Sequence, residues 1–152
     1  MSTHEISIRP VQESDKQVWL LLWQGYLDFY KTVVPSEQTE RTWNRIIDPE
    51  FNMKCAVAEL NGAVIGFTTY NLQNSTWSPS GHCYLEDLFV DPAMRGSGAG
   101  RALIDYVKAF ALEMKCSRLY WNTDADNEVA RKLYDSYVLE SGKRQYRVQL
   151  SQ

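Results

Sequence analysis

Tyr84-Leu85-Glu86-Asp87-Leu88-Phe89-Val90-Asp91-Pro92 leads, three residues later, into Arg95-Gly96-Ser97-Gly98-Ala99-Gly100-Arg101. The segment from His82 to Val90 reads as a buried strand that Asp91-Pro92 ends. From Ala102 to Met114 the apolar residues recur with a helical rhythm. A glycine-rich turn from strand into helix leaves several backbone N–H groups unpaired at the positive end of the helix dipole. Such a turn is an anion site, and the usual anion is a phosphate or pyrophosphate. The sequence therefore points first to a nucleotide-type cofactor.

Working outward, Glu5 to Arg9 alternates and reads as a short strand, with Ser14-Asp15 as a helix cap after it. Helices are expected over Lys16 to Tyr30 and over Pro35 to about Ile47. Cys55 to Leu60 and Ala63 to Leu72 read as strands joined by an Asn61-Gly62 hairpin turn. Gly66 interrupts the second of these, which suggests a bulge or a close backbone approach. Beyond the long helix, Ser117 to Asn122 reads as a strand, Asn127 to Tyr137 as a helix, and Arg144 to Leu150 as a terminal strand. The order is β-α-α-β-β-β-α-β-α-β, an α/β (α+β) fold with a mixed, mostly antiparallel sheet flanked by helices. No repeat or linker divides the chain, so one domain over residues 1–152 is expected.

The bulk numbers exclude several classes. A length of 152 residues and 44% hydrophobic content suit one globular core. A net charge of -3 gives no electrostatic reason to expect nucleic acid and fits a cationic substrate slightly better. No run matches a signal peptide or is long enough to span a bilayer, so a cytoplasmic protein is expected. Cys55, Cys83 and Cys116 have neither disulfide nor zinc spacing and read as small buried residues.

Three phosphate-binding patterns compete for the glycine turn. A P-loop requires Lys-Ser/Thr after its last glycine, where this chain has Arg101-Ala102. A dinucleotide fold requires Gly-x-Gly-x-x-Gly, and Gly96-x-Gly98-x-Gly100 is one residue short. The third pattern is Arg-Gly-x-Gly-x-Gly after an apolar strand ending in Val-Asp-Pro. With it come Ile8-Arg9-Pro10, Glu13-Ser14-Asp15, and Asn127, Ala130 and Leu133-Tyr134 on the last helix. In these features the chain resembles the GNAT superfamily of acetyl-coenzyme A-dependent N-acetyltransferases, over almost its whole length.

The resemblance implies acetyl-coenzyme A as cofactor, with its pyrophosphate held by Arg95, Gly96, Ser97, Gly98, Ala99, Gly100 and Arg101. It implies that the strand carrying Leu88, Phe89 and Val90 splays from the strand ending at Asn122. The pantetheine arm then lies in that gap, bonded to the backbone of Leu88 and Val90. Asn127 and Tyr134 complete the expected cofactor contacts.

Acetyl transfer to an amine requires amine deprotonation, oxyanion stabilisation and protonation of the departing thiolate. No serine–histidine or cysteine–histidine nucleophile is evident, so direct attack by the amine is expected. Tyr134 matches the family tyrosine and is the candidate general acid, since a phenol stays protonated at neutral pH. By itself it reads first as a core aromatic on an amphipathic helix. Glu86 is the candidate on the base side, acting through water or by orienting a cationic amine. As strand neighbours, Glu86 and Asp87 are expected to face opposite ways. They also read as structural carboxylates.

The Leu-Glu-Asp-Leu-Phe-Val run resembles the branch of diamine, polyamine and thialysine acetyltransferases. Tyr120-Trp121-Asn122-Thr123-Asp124 resembles a stretch of the yeast histone/polyamine acetyltransferase. A small amine substrate, either a polyamine or diamine or a lysine-like molecule, is therefore expected. Glu86 and Asp87 would bind its charge, and Trp23, Tyr26, Tyr30 and Trp43 would line a slot around its methylenes. The same aromatics read first as helix faces packed on the sheet. The competing functions are a protein-lysine acetyltransferase and a non-catalytic acetyl-coenzyme A-binding module. The chain departs from the family at Asp135-Ser136-Tyr137-Val138, where Gly-Phe commonly follows the helix. The alternating residues from Lys143 to Val148 suggest a strand paired across a homodimer.

Overall fold

Asn61 and Gly62 turn the chain at φ 52° and 82°. Positive φ at both central residues is the mark of a type I′ turn, one of the two whose twist matches that of the flanking strands. The turn joins β2 (Lys54–Leu60) to β3 (Ala63–Gln73). In this computed structural model, residues 5–150 are described. They contain β1 (Ile6–Pro10), α1 (Lys16–Phe29), α2 (Ser36–Ile46), β2, β3, β4 (His82–Val90), α3 (Ala99–Glu113), β5 (Leu119–Tyr120) and α4 (Glu128–Tyr137). The chain divides into two compact units, Met1–Trp121 and Asn122–Gln152.

In the first unit the sheet order is β1-β2-β3-β4-β5. The first three pairings are antiparallel, and β4–β5 is parallel. A parallel pair needs a crossover, and α3 supplies it. The expected mixed, mostly antiparallel sheet is therefore present. Trp19, Leu22, Trp43 and Ile46 from α1 and α2 pack with Cys55, Val57, Phe67 and Phe89. Ala99 and Leu103 of α3 pack with Ala58 and Ile65 in a second cluster. Neighbours Val57 and Ala58 thus enter different cores, as strand alternation requires. Ile65 and Phe67, two residues apart, also enter different cores, which alternation alone forbids. A bulge is the reason: Ala58 pairs with Gly66 and Glu59 with Val64, leaving Ile65 over. The irregularity expected at Gly66 is this one. A Cβ on Gly66 would meet the Phe89 carbonyl oxygen at 2.8 Å, so β3 and β4 also approach closely here.

Several sequence expectations are corrected. The helix expected from Ala102 starts at Ala99, inside the glycine motif. Gly98 is its N-cap, and Gly100 lies in its first turn, where an N–H needs no helical partner. Asp15 makes no side-chain cap to α1. Its carboxylate instead takes two hydrogen bonds from Arg9, at 2.7 and 2.9 Å, and one from the Gln12 N–H at 2.7 Å. Arg9 also bonds Glu59, and the Arg9 guanidinium holds the Asp15 carboxyl below its ordinary value. The strand expected over 117–122 is cut to Leu119–Tyr120.

In the second unit, α4 starts where expected. The Asn127 side chain caps it by accepting the Ala130 N–H at 3.2 Å. The terminal strand over 144–150 does not form. A strand needs a ladder partner, and among the described residues none pairs with this segment. Tyr146, Val148 and Leu150 are 93%, 83% and 78% exposed. No helix among the described residues is long and apolar enough to cross a membrane.

Candidate active site

The site builds outward from β4. Thr69 of β3 pairs with Asp87, but the next residue, Tyr70, pairs with Leu85. Glu86 is the extra residue of a bulge. The expected opposite-face rule fails here, because alternation is broken between these two carboxylates. Both act on the Tyr26 phenol and help to raise its pKa, which burial raises most.

Asp87 is held tightly. It accepts a hydrogen bond from Tyr26 Oη at 2.7 Å and another from the Thr69 side chain. Its carbonyl oxygen accepts from Thr68 Oγ1 at 2.8 Å. Burial raises its carboxyl pKa, and the bonds from Tyr26 and Thr69 oppose that rise. Glu86 is exposed and has no hydrogen-bond or ion-pair partner among the described residues. Partial desolvation first, and the neighbouring Asp87 charge second, lift its carboxyl above the ordinary range.

The bulge also shapes the edge of β4. A bulge bends its strand and increases the twist. Pairing with β5 involves only Cys83 with Leu119 and Tyr84 with Tyr120. The Tyr84 and Tyr120 rings stack at 5.0 Å where this pairing stops. Beyond them β4 continues along β3 without a β5 partner. The Asp91 N–H bonds the Ile65 carbonyl at 2.8 Å, so it faces β3. By alternation Phe89 also faces β3 through its backbone, while the backbone groups of Leu88 and Val90 face the open edge. The Phe89 side chain is buried in the core. Leu88 and Val90 are thus on the part of β4 that β5 does not pair with.

At the end of β4, Gly96 and Gly98 adopt φ 83° and 90°. No protein atom lies within 4 Å of where either Cβ would stand. α3 has no side-chain cap at its N-terminus. The N–H groups of Gly98, Ala99 and Gly100 lie at the N-cap and first turn of a helix of 15 residues, its positive end, where an N–H has no intrahelical acceptor. Ser97 donates its N–H to the Met94 carbonyl at 3.3 Å, so it takes part in the turn itself. The Arg95 guanidinium lies 5.8 Å from the Phe29 ring centroid, and Arg101 is exposed. Donors, dipole and vacant Cβ positions fit a pyrophosphate.

The aromatics divide. Trp43 is buried in the core and lines no slot. Trp23 packs at 5.5 Å on Trp19, and its Nε1 donates to Thr39 Oγ1 at 3.0 Å. Tyr26 is committed to Asp87. Tyr30 is the more open ring, edge-on to Tyr26 at 5.0 Å. The structure thus brings Glu86, Asp87, Tyr26 and Tyr30 together on β4 and α1. Asn127 and Tyr134 belong to the second unit, the first as the N-cap of α4 and the second within its second turn. Sequence reasoning missed Thr68 and Thr69. Their signal was two adjacent hydroxyls in an otherwise apolar buried strand, where each needs a partner.

The model of the acetyltransferase (GNAT) family matches residues 17–137. The chain belongs to the GNAT family. It is an N-acetyltransferase and uses acetyl-coenzyme A. It is 33% identical over 149 residues to D-amino-acid N-acetyltransferase HPA3 of Saccharomyces cerevisiae, covering 97% of this chain and 92% of that protein. It is 33% identical over 136 residues to thialysine N-epsilon-acetyltransferase of Mus musculus, covering 79% and 78%. Both branches that the sequence resembled are therefore represented. Among solved structures, AAC(6')-Iy in complex with the bisubstrate analogue CoA-S-monomethyl-acetylneamine shares the GNAT fold. Its TM-score is 0.83 at 19% identity, covering 97% of this chain and 99% of that one.

Proposed function

We propose that this GNAT enzyme acetylates a small primary amine of the diamine, polyamine or lysine-like class by direct attack. The observation that carries the reading is Glu86, a carboxylate at the β4 bulge with no protein partner, backed by Asp87. A partly desolvated anion without a counter-charge is suited to a cationic ligand, because an ammonium offsets its desolvation. Glu86 anchors the ammonium and takes its proton through water. Its raised pKa brings it closer to the working pH of a base.

The cofactor supplies the activated acetyl thioester. The amides of Gly98, Ala99 and Gly100 hold its pyrophosphate, with Arg95, Gly96, Ser97 and Arg101 around them. The backbone groups of Leu88 and Val90, with Phe89 fixing the strand between them, orient its arm, and Asn127 adds a contact. Tyr134 Oη gives its proton to the departing thiolate, and Tyr30 flanks the methylene chain. The family match crosses both units, which supports a single catalytic domain over residues 1–152. The apolar residues exposed over 144–150 support the expected homodimer, and a cytoplasmic location remains part of this reading.

The test is thiol release from acetyl-coenzyme A against diamines, polyamines, lysine, thialysine, D-amino acids and a lysine-bearing peptide. Acceptor-dependent release with small diamines or lysine-like amines is expected. Glu86→Gln should then raise the amine KM about ten-fold or more, the value of one charged hydrogen bond. Release with the peptide alone, or with no acceptor, overturns the proposal.

A further inference from the structure

We propose that Tyr26 is a positioning residue rather than a wall of the acceptor slot: with Thr68 and Thr69 it clamps Asp87 and so holds the β4 bulge that presents Glu86. The inference rests on the reading of Glu86 given above and deepens it.

A bulge interrupts the ladder and bends its strand. Side chains bind the residue next to it. Thr68 Oγ1 satisfies the Asp87 carbonyl oxygen at 2.8 Å. The Thr69 side chain and Tyr26 Oη both bond the Asp87 carboxylate, the latter at 2.7 Å. Three hydroxyls from α1 and β3 thus converge on the one residue after the irregular position. Thr68 and Thr69 are buried, so each loses a partner it cannot replace with water if Asp87 turns away.

The Tyr26 hydroxyl is itself fixed. Its ring stacks on Trp23 at 5.6 Å and meets Phe67 and Phe89 edge-on at 6.0 and 6.1 Å. Rings packed on three sides cannot swing to follow a ligand. The phenol's only proton is committed to the Asp87 carboxylate, so the hydroxyl acts on Asp87 first. The arrangement instead ties α1 to β4 across 61 residues of sequence. Glu86 is covalently next to Asp87, so its direction is set by the clamp.

Three variants test this with two readouts. Tyr26→Phe keeps the packed ring and removes the clamp. Asp87→Ala removes the acceptor. Asp87→Asn removes the charge but leaves an Oδ1 that still accepts from Tyr26. The readouts are amine kcat/KM and amide hydrogen exchange over residues 85–88. Tyr26→Phe and Asp87→Ala should each lower kcat/KM and speed exchange by about ten-fold or more, one charged hydrogen bond's worth. Asp87→Asn should retain about a ten-fold advantage over Asp87→Ala and keep exchange slow. Wild-type values for Tyr26→Phe in both readouts overturn the clamp. So does an Asp87→Asn variant as impaired as Asp87→Ala, which would assign Asp87 a role through its charge. If no amine on the panel is acetylated, the reading of function fails, while the exchange measurement still decides the clamp.

Discussion

Gly98→Ala separates the two reasons for a glycine in the turn. Gly98 has φ 90°, a conformation that costs an L-residue about 1–2 kcal/mol. Its Cβ would meet no protein atom within 4 Å, so no steric clash adds to the strain. Gly62 in the β2–β3 hairpin is a matched control, with φ 82° and the same open space around a Cβ. Both alanine variants should therefore lose about 1–2 kcal/mol, or about 2–8 °C in Tm for a chain of this size. Only Gly98 stands in the proposed pyrophosphate cradle. A methyl group there blocks the approach of an anion to the amides of Gly98, Ala99 and Gly100. Loss of one charge-assisted bond is worth about 1.5–3 kcal/mol, so coenzyme A should bind about ten- to a hundred-fold more weakly. Calorimetric titration of coenzyme A and a thermal melt of each variant provide the comparison. Normal coenzyme A affinity in a folded Gly98→Ala protein refutes the cradle. Equal loss of affinity in Gly62→Ala shows that the strain acts globally and refutes the local argument.

Two further outcomes follow from the geometry. Tyr134→Phe should lower kcat about ten-fold or more while changing coenzyme A affinity little, because it removes only a proton donor used late in the reaction; unchanged kcat in steady-state assays removes its acid role. Asp15 has a folded-state pKa below its ordinary value because of Arg9, so its contribution is present above the unfolded pKa and is lost as pH falls through the folded one. Asp15→Asn should therefore cost about 2 kcal/mol near neutrality and less in acid, as read by denaturant unfolding at several pH values.

What was legible in the sequence was local. The Asn61-Gly62 turn, β4 over His82–Val90 and the Asn127 cap of α4 each follow from neighbouring residues. The features that depend on a distant partner were not legible. Ser14-Asp15 has the form of a cap, but Arg9, six residues earlier on β1, takes the carboxylate, and only the path of the chain from β1 into α1 decides that. Residues 144–150 alternate like a strand, yet alternation describes two faces and does not supply a ladder partner. The aromatics of α1 and α2 carry the same periodicity whether they enclose a ligand or a core. The sheet decides, burying Trp43 and leaving Tyr30 open.

The bulge at Glu86 belongs to that second kind and has the largest consequences for the candidate site. Register is a property of two strands, so no reading of Leu85-Glu86-Asp87-Leu88 alone could locate it. Its effects are nonetheless coupled. The extra residue is Glu86, whose carboxylate has no hydrogen-bond or ion-pair partner among the described residues. Pairing with β5 stops at Tyr120, just before the bulge, which leaves Leu88 and Val90 with backbone groups facing an open edge. Donor slot and acceptor anchor would then share one origin, an interrupted pairing between β3 and β4. On that reading the acidic pair and the open edge lie on the same few residues of β4, and the three hydroxyls from α1 and β3 that converge on Asp87 hold the irregularity on which both would depend.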